Sequence, residues 1–539
     1  MAIEQPQRRW QALCPNCGAP VEFASAASAS AICSFCRSTL VRDGDALRRI
    51  GTSAELIEDY SPLQLGAAGR FAGERFTIVG RQQWRYADGG WNEWHALFEG
   101  EGRSAWLSED NGSFVMAFEA PLDETAPAAD TLRLGNRLVL AGRDWSIAAL
   151  TRATPAAAEG ELPRPPALGK EILVAELRNA QDEVASLEYA QQAPSLSIGR
   201  AVRLADLSLT GLRDNEGART KAVGSRSLSC PNCGAALEPR LGTSLSIACP
   251  QCHAVVDLTQ GAAGELNHFV QAHGGEPQIA LGSTGTLAWA VGAPLPWQVV
   301  GYQERCDLPD PGDDEETTFW REYLLFNRNE GFVFLVDAED GWSLVRPLTG
   351  APRAIGNDVD WQGRRYRRKY AYAAKTTYVL GEFYWRVQRD ERAAVVDYES
   401  PATGGAPKAL LSREQTGERN GEEVAWSQGF ALDAAQVAAA FKLAPERVAA
   451  LRRDAAPNLG SGSAAVRWVI IAVVLVVLLM LMLRSCSRDS CQRYADSYGA
   501  ASAEYQQCRR SSGGSGYIGG VGSAGGSYGG YSSGGGGHK

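Results

Sequence analysis

Short apolar runs alternate with turn residues along most of the chain. Phe76 to Val79, His95 to Phe98, Ser104 to Leu107 and Phe114 to Phe118 are rich in aromatic and branched residues, and Gly, Asp and Asn separate them. That punctuation predicts antiparallel strands joined by tight turns. The pattern returns from Trp297 to Val345, then at Tyr366 to Tyr372, Thr376 to Trp385 and Ala394 to Tyr398. The expected fold is mainly β (α+β), with an antiparallel sheet or small barrel made twice. Helical periodicity is clear only late: Asp433 can cap a helix over Ala434 to Leu443, and Pro445 can open a second, so that the pair closes the second β-rich domain. Ala120 to Asp130, Thr154 to Ala167 and Asp454 to Ser463 read as linkers from their Ala, Pro, Glu and Gly content.

One segment departs from this pattern. From Trp468 to Leu483 no polar residue occurs, and Arg467 and Arg484 bracket the run. Counted from Ala464 it is 20 residues, roughly 30 Å as a helix, about the thickness of a bilayer core. Arg467 can snorkel to the interface and Trp468 suits the aromatic belt. A single transmembrane helix over 464–483 is therefore expected. Arg452, Arg453 and Arg467 on one side balance Arg484, Arg488 and Arg493 on the other, so flanking charge leaves the orientation open.

Cysteine spacing decides it. Cys14-x2-Cys17-x15-Cys33-x2-Cys36 recurs as Cys230-x2-Cys233-x15-Cys249-x2-Cys252. A Cys-x2-Cys step lets two thiolates meet one tetrahedral metal from a tight turn, and a second step supplies the other two, which is the outline of a zinc ribbon. Pro15, Asn16 and Gly18, matched by Pro231, Asn232 and Gly234, suit such a knuckle. Four thiolates saturate the metal, so two structural Zn2+ ions are expected rather than catalytic ones. A redox role would call for a surrounding βαβ pattern, which is missing. His253 follows Cys252 as a neighbour, not a ligand. Met1 to Gln11 is polar, without the apolar core of a secretory signal, which places the ribbons and the bulk of the chain in the reducing cytoplasm and the C-terminal tail outside it.

The two clusters are offset by 216 residues, and Leu65-Gly66 and Gly69 answer Leu281-Gly282 and Gly285 at the same offset. Ile78-Val79-Gly80 then answers Val299-Val300-Gly301, and Trp91-x-Glu93-Trp94 answers Trp320-x-Glu322-Tyr323. The chain is an internal duplication. Its expected parts are a zinc ribbon at 1–48, a β-rich domain at 55–215, a second ribbon at 226–260 and a second β-rich domain at 276–453. They are followed by the linker 454–463, the transmembrane helix 464–483, a polar Cys-containing tail at 484–510 and a disordered Gly/Ser/Tyr-rich tail at 511–539.

Net charge is -9, with the excess acid before the apolar segment, which argues against a general nucleic-acid binder. On a strand, Trp91 and Glu93 share one face, as do Trp320 and Glu322. Each pair is read either as a ligand site in an aromatic-lined cleft or as a structural carboxylate beside a core tryptophan. Arg364, Arg365, Arg367 and Arg368, interleaved with tyrosine, form the one dense basic run. It could meet nucleic acid, anionic lipid or a phosphorylated ligand, or else face the acidic loop at 313–316 of its own domain. Cys491 and Cys508 could pair as a disulfide if the tail is outside the cytoplasm.

Trp320-x-Glu322-Tyr323, Gly381-Glu-Phe-Tyr-Trp385, Asp397-Tyr398, Glu414, Trp426 and Gly429 make the second repeat resemble a bacterial family, domain-of-unknown-function family 4178. In the first repeat Trp91-x-Glu93-Trp94 and Gly160-Glu-Leu-Pro163 match, Glu188-Tyr189 stands for Asp397-Tyr398, and Trp385 has no clear equivalent. The resemblance covers most of the chain before Asp454 and implies membrane-associated proteins encoded near polyamine-synthesis-like enzymes. It carries no catalytic residues. The expected role is a membrane-anchored, zinc-binding scaffold or adaptor, not an enzyme, with the lipid bilayer and a protein as partners. The alternatives are a protein that binds or processes a polyamine-related or other small ligand in the β-domain cleft around Glu93 or Glu322, and a membrane-tethered sensor of nucleic acid or anionic lipid.

Overall fold

A computed structural model describes residues 10–451, apart from short internal stretches of which 214–227 is the longest. The β-rich reading holds, and each repeat closes on itself. In the first, β1 (Glu74–Tyr86) pairs with β2 (Gly89–Phe98), β2 with β3 (Ser104–Asp110) and β3 with β4 (Ser113–Ala120). The 20-residue β5 (Arg143–Leu162) pairs through its first half with β6 (Ile172–Arg178) and through its second with β1. Strands β7 (Glu183–Glu188) and β8 (Ser195–Val202) complete the ring from β6 back to β4.

The second repeat builds the same ring from β9 (Leu295–Leu308), β10 (Phe319–Asn327), β11 (Gly331–Ala338), β12 (Gly341–Leu348), β13 (Arg364–Phe383), β14 (Arg392–Ser400), β15 (Ala409–Thr416) and β16 (Glu422–Leu432). Each strand of the first barrel therefore corresponds to the one numbered eight higher. A closed ring leaves no sheet edge open to stray pairing.

Two expectations change. The stretch from Thr154, read as a linker, is barrel strand as far as Leu162. Its Ala and Gly content reflects tight space: Ala153, Ala157 and Ala158 are buried, and a Cβ on Gly80 would come 1.8 Å from the Glu161 carbonyl oxygen. Gly160, at φ +69, provides the bend, and Gly381, at φ +85, does the same opposite Gly301. Secondly, Tyr366 to Tyr372 and Thr376 to Phe383 are not separate strands but parts of the single long β13, which ends before the expected Trp385.

One face of each barrel wall is covered from outside. Ile78, Trp94, Leu107 and Met116 pack under Leu63, Ala67, Leu204 and Leu207. Tyr323, Leu335 and Trp342 pack under Ile279, Val437 and Phe441. Val437 belongs to helix α1 (Ala434–Ala440), which opens with a capping box between Asp433 and Gln436 and ends short of the expected Leu443 because Lys442 takes φ +52. Residues 445–447, where a second helix was expected, lie outside the described residues.

The ribbons continue the barrel sheets. Strand Ser30–Ile32 pairs on one side with Ser38–Asp43 and on the other with the end of β5, Gly160 opposite Ile32. Strand Ser246–Ala248 likewise bridges Val255–Asp257 and the end of β13. The barrels meet where Ala149 and Leu150 of β5 pair with Glu423 and Glu422 of β16. There Arg178 Nη1 donates to the Leu348 carbonyl at 3.0 Å and the Ala351 amide donates to the Asn179 carbonyl at 2.9 Å. Among the described residues no helix is long and apolar enough to cross a membrane. The segment 464–483, Cys491, Cys508 and both tails lie outside the described residues.

Candidate metal centres and barrel interiors

Each cysteine tetrad sits at the tip of two knuckles. In the first, the Cys14 amide donates to Ala19 and the Gly18 amide to the Cys14 carbonyl, while the Arg37 amide donates to the Cys33 carbonyl. The residue after the second cysteine of every knuckle is left-handed: Gly18, Arg37, Gly234 and His253, at φ between +56° and +76°. This explains His253, whose ring turns away to within 3.1 Å of the Tyr378 hydroxyl.

The sulfur atoms of each tetrad lie within 4.8 Å of one another. Cys14 and Cys36 are 3.6 Å apart, and Cys17–Cys33, Cys230–Cys252 and Cys233–Cys249 are each 3.7 Å apart. A tetrahedral ion with metal–sulfur bonds of about 2.3 Å has an edge of about 3.8 Å, so both tetrads could hold a metal ion and are consistent with zinc. The Ser38 hydroxyl and Asn16 hold the Cys36 thiol down at about 5, so one ligand of this tetrad ionises readily.

A carboxylate ties the second ribbon to its barrel. Glu382, at the end of β13, accepts from the amides of Arg240 and Leu241 at 2.9 to 3.0 Å and from the Ser244 hydroxyl at 2.7 Å. In the sequence this residue stands only as part of the family likeness, with no role assigned, although it directly follows the bend glycine in both repeats, as Glu161 and Glu382.

Trp320 and Glu322 face into the second barrel. Glu322 has no exposed side chain and accepts from the Trp320 indole at 2.7 Å and from Gln303 at 2.6 Å. Arg305, opposite Trp320 on β9, places Nη1 3.7 Å from Glu322 and Nη2 2.7 Å from Glu414. Burial pushes Glu322 upward, against the pull of Arg305. Further round the wall Asp397 accepts from the Tyr372 hydroxyl at 2.9 Å, and burial raises it to about 8. The interior is thus one packed polar network rather than an open cleft.

The first barrel keeps the register and changes the chemistry. Trp84 takes the place of Arg305, opposite Trp91, and the two indoles stack at 5.3 Å with 4° between their planes. The Trp91 indole donates to Glu93 at 3.3 Å. The ladders also correct an equivalence. Counted from the paired glycines, Asp397 answers Glu176 on β6, not Glu188, because Glu188 on β7 answers Glu414 on β15. Asp397, Ser412 and Ser427 form a row across three strands, and Glu176, Ser186 and Ser197 repeat it. The rows escape sequence comparison because the intervening turns differ in length. Glu93, Ser108, Ser186, Glu188 and Ser197 line a cavity of about 20 Å³, room for about one water and far below an ordinary small-molecule pocket.

The basic run opens β13 and is half committed to its own chain. Arg364 donates to Ser400 and Pro401, and Arg365 reaches Asp358 at 2.7 Å. Arg367 and Arg368 are exposed. The acidic loop at 313–316, expected to face this run, lies outside the described residues. The run is therefore not brought together with Glu322, whose carboxylate is sealed inside the barrel.

A family profile described as a domain of unknown function (DUF4178) matches residues 64–204 and again 295–434, each match spanning one barrel. No curated protein and no solved structure matches the chain.

Proposed function

As a chain that belongs to the DUF4178 family and carries that domain twice, this protein is, we propose, a membrane-anchored, zinc-braced scaffold whose paired barrels present a rigid surface to a protein partner. The observation that carries the reading is the continuity of ribbon and barrel: a ribbon strand extends each barrel sheet, and Glu382 clamps the second ribbon's loop. Zinc bound in each tetrad would fix an otherwise small, loop-rich module against its barrel, since metal binding and folding are coupled in such modules. Anchoring rests on the apolar run 464–483, with the barrels cytoplasmic. A ligand-processing cleft around Glu322 has less support, because that carboxylate is wholly buried among its own partners.

The test uses the full-length chain solubilised from its native membranes. Affinity capture combined with metal analysis should give two zinc ions per chain and a stoichiometric protein partner. Cys230→Ser should lose one zinc, the protease resistance of 226–260 and the partner. Unchanged zinc content and protease resistance in that variant, or a retained small molecule with no protein, would overturn the reading.

A further inference from the structure

The duplication supplies a template for a ligand in the first barrel. In the second barrel the Arg305 guanidinium lies between Glu322 and Glu414, at 3.7 and 2.7 Å. The residues in register with those carboxylates are Glu93 and Glu188, and both line the first barrel's cavity. The position that supplies the guanidinium in one barrel supplies the Trp84 indole in the other. An independent sign comes from Ser186, which is 7% exposed, lines the same cavity and has an Oγ without a hydrogen-bond partner. A buried hydroxyl left in that state is unfavourable unless something fills the space beside it.

The closure of the two barrels differs in the same sense. Counting on from Gly160 and Gly381, Trp385 occupies the place of Arg164. Trp385 is buried among Phe334, Phe383 and Tyr384. Arg164 instead lies at the surface, 40% exposed, with Nη2 3.7 Å from Glu188 and Nη1 3.8 Å from Glu119. A long, solvated side chain can swing aside where a packed indole cannot.

We propose that the first barrel binds one small organic cation, an alkylammonium or guanidinium headgroup, between Glu93 and Glu188, with the Ser186 hydroxyl as a further ligand. Two carboxylates and a neutral hydroxyl select positive charge, and the Trp106 ring in the same lining favours an organic cation over a strongly hydrated metal ion. The headgroup would displace the water-sized contents of the cavity and enter past Arg164.

Isothermal titration of the full-length, detergent-solubilised protein with methylammonium and with methylguanidinium, at constant ionic strength in potassium chloride, tests this. One saturable site per chain is expected for at least one of the two probes. Glu188→Gln, at the half-buried mouth, should weaken it at least tenfold while both zinc ions stay bound. Trp84→Arg, which supplies the guanidinium internally, should abolish it. Non-saturating heats with both probes, two sites per chain, or unchanged affinity in Glu188→Gln would overturn the proposal without touching the scaffold reading, which stands on zinc and partner content.

Discussion

The two barrels share a backbone and differ in what neutralises their interiors. Their ladders superimpose down to the glycine pairs Gly80–Gly160 and Gly301–Gly381 and the bulge beside each. Inside, the second barrel is locked by Arg305 held between two carboxylates and capped by Trp385, whereas the first stacks Trp84 on Trp91 and keeps a small polar cavity. A neutral histidine marks a further divergence. His95, where the second barrel has Leu324, is buried between the Glu161 carbonyl at 2.8 Å and the Ser104 hydroxyl at 2.9 Å, and burial lowers it to about 4. Duplication preserved the features that set backbone geometry. It left free the side chains that only need a mutually consistent set of partners.

The sharpest way to break this comparison is to remove the lock. Arg305→Met would leave Glu322 and Glu414 buried without their cation and is expected to cost about 3 to 5 kcal/mol, read as a lower urea midpoint for the second barrel. Adding Glu414→Gln should recover part of that loss. A loss below about 1 kcal/mol would mean that the second interior is no more dependent on charge pairing than the first.

A smaller effect separates the two ribbons. Glu382→Gln keeps the shape but replaces charge-assisted bonds to Arg240, Leu241 and Ser244, and should cost about 1.5 to 3 kcal/mol, confined to the ribbon loop. A chelator should then strip the second metal faster than the first. Equal release rates from both tetrads would deny Glu382 its bracing role.

The cysteine tetrads and the β-class were legible because each depends on local pattern: fixed Cys spacing, and apolar runs cut by turn residues. The duplication was legible for the same reason. The polar interiors were not, since Arg305, Glu322 and Glu414 come from three strands whose meeting depends on ring closure and register. Glu188-Tyr189 was matched to Asp397-Tyr398 on residue type alone, while the ladder assigns Glu176. Thr154 to Leu162 misled for a different reason: small residues needed where strands crowd together have the composition of a linker. The basic run at Arg364 to Lys369 could be read as an interface or as the partner of acidic residues in its own domain; Asp358 takes Arg365 across the adjoining hairpin and Asp340 takes Lys369 at 2.9 Å, the latter a partner that no local pattern connects to it.

The last expected effect is a pH dependence that the barrels should not share equally. Burial raises Asp397 from an ordinary 3.8 to about 8 in the second barrel, and raises Glu423, at the joint between barrels, from 4.5 to about 8. Between those limits the folded protein holds protons that the unfolded chain has released. Stability from these groups is therefore complete at the acid end, falls as pH rises through the window and levels off once both are ionised, with a slope of at most about 1.4 kcal/mol per pH unit for each group. Measured from pH 6.5 to 9, above the range in which protonation would strip the cysteine tetrads, the urea midpoint should drop up to about pH 8 and level off towards pH 9. Asp397→Asn retains an acceptor for the Tyr372 hydroxyl and cannot ionise, so it should flatten that drop while leaving the Glu423 share in place. A slope unchanged in Asp397→Asn would show that the row of Asp397, Ser412 and Ser427 is solvated in solution, and that the second barrel opens as readily as the first.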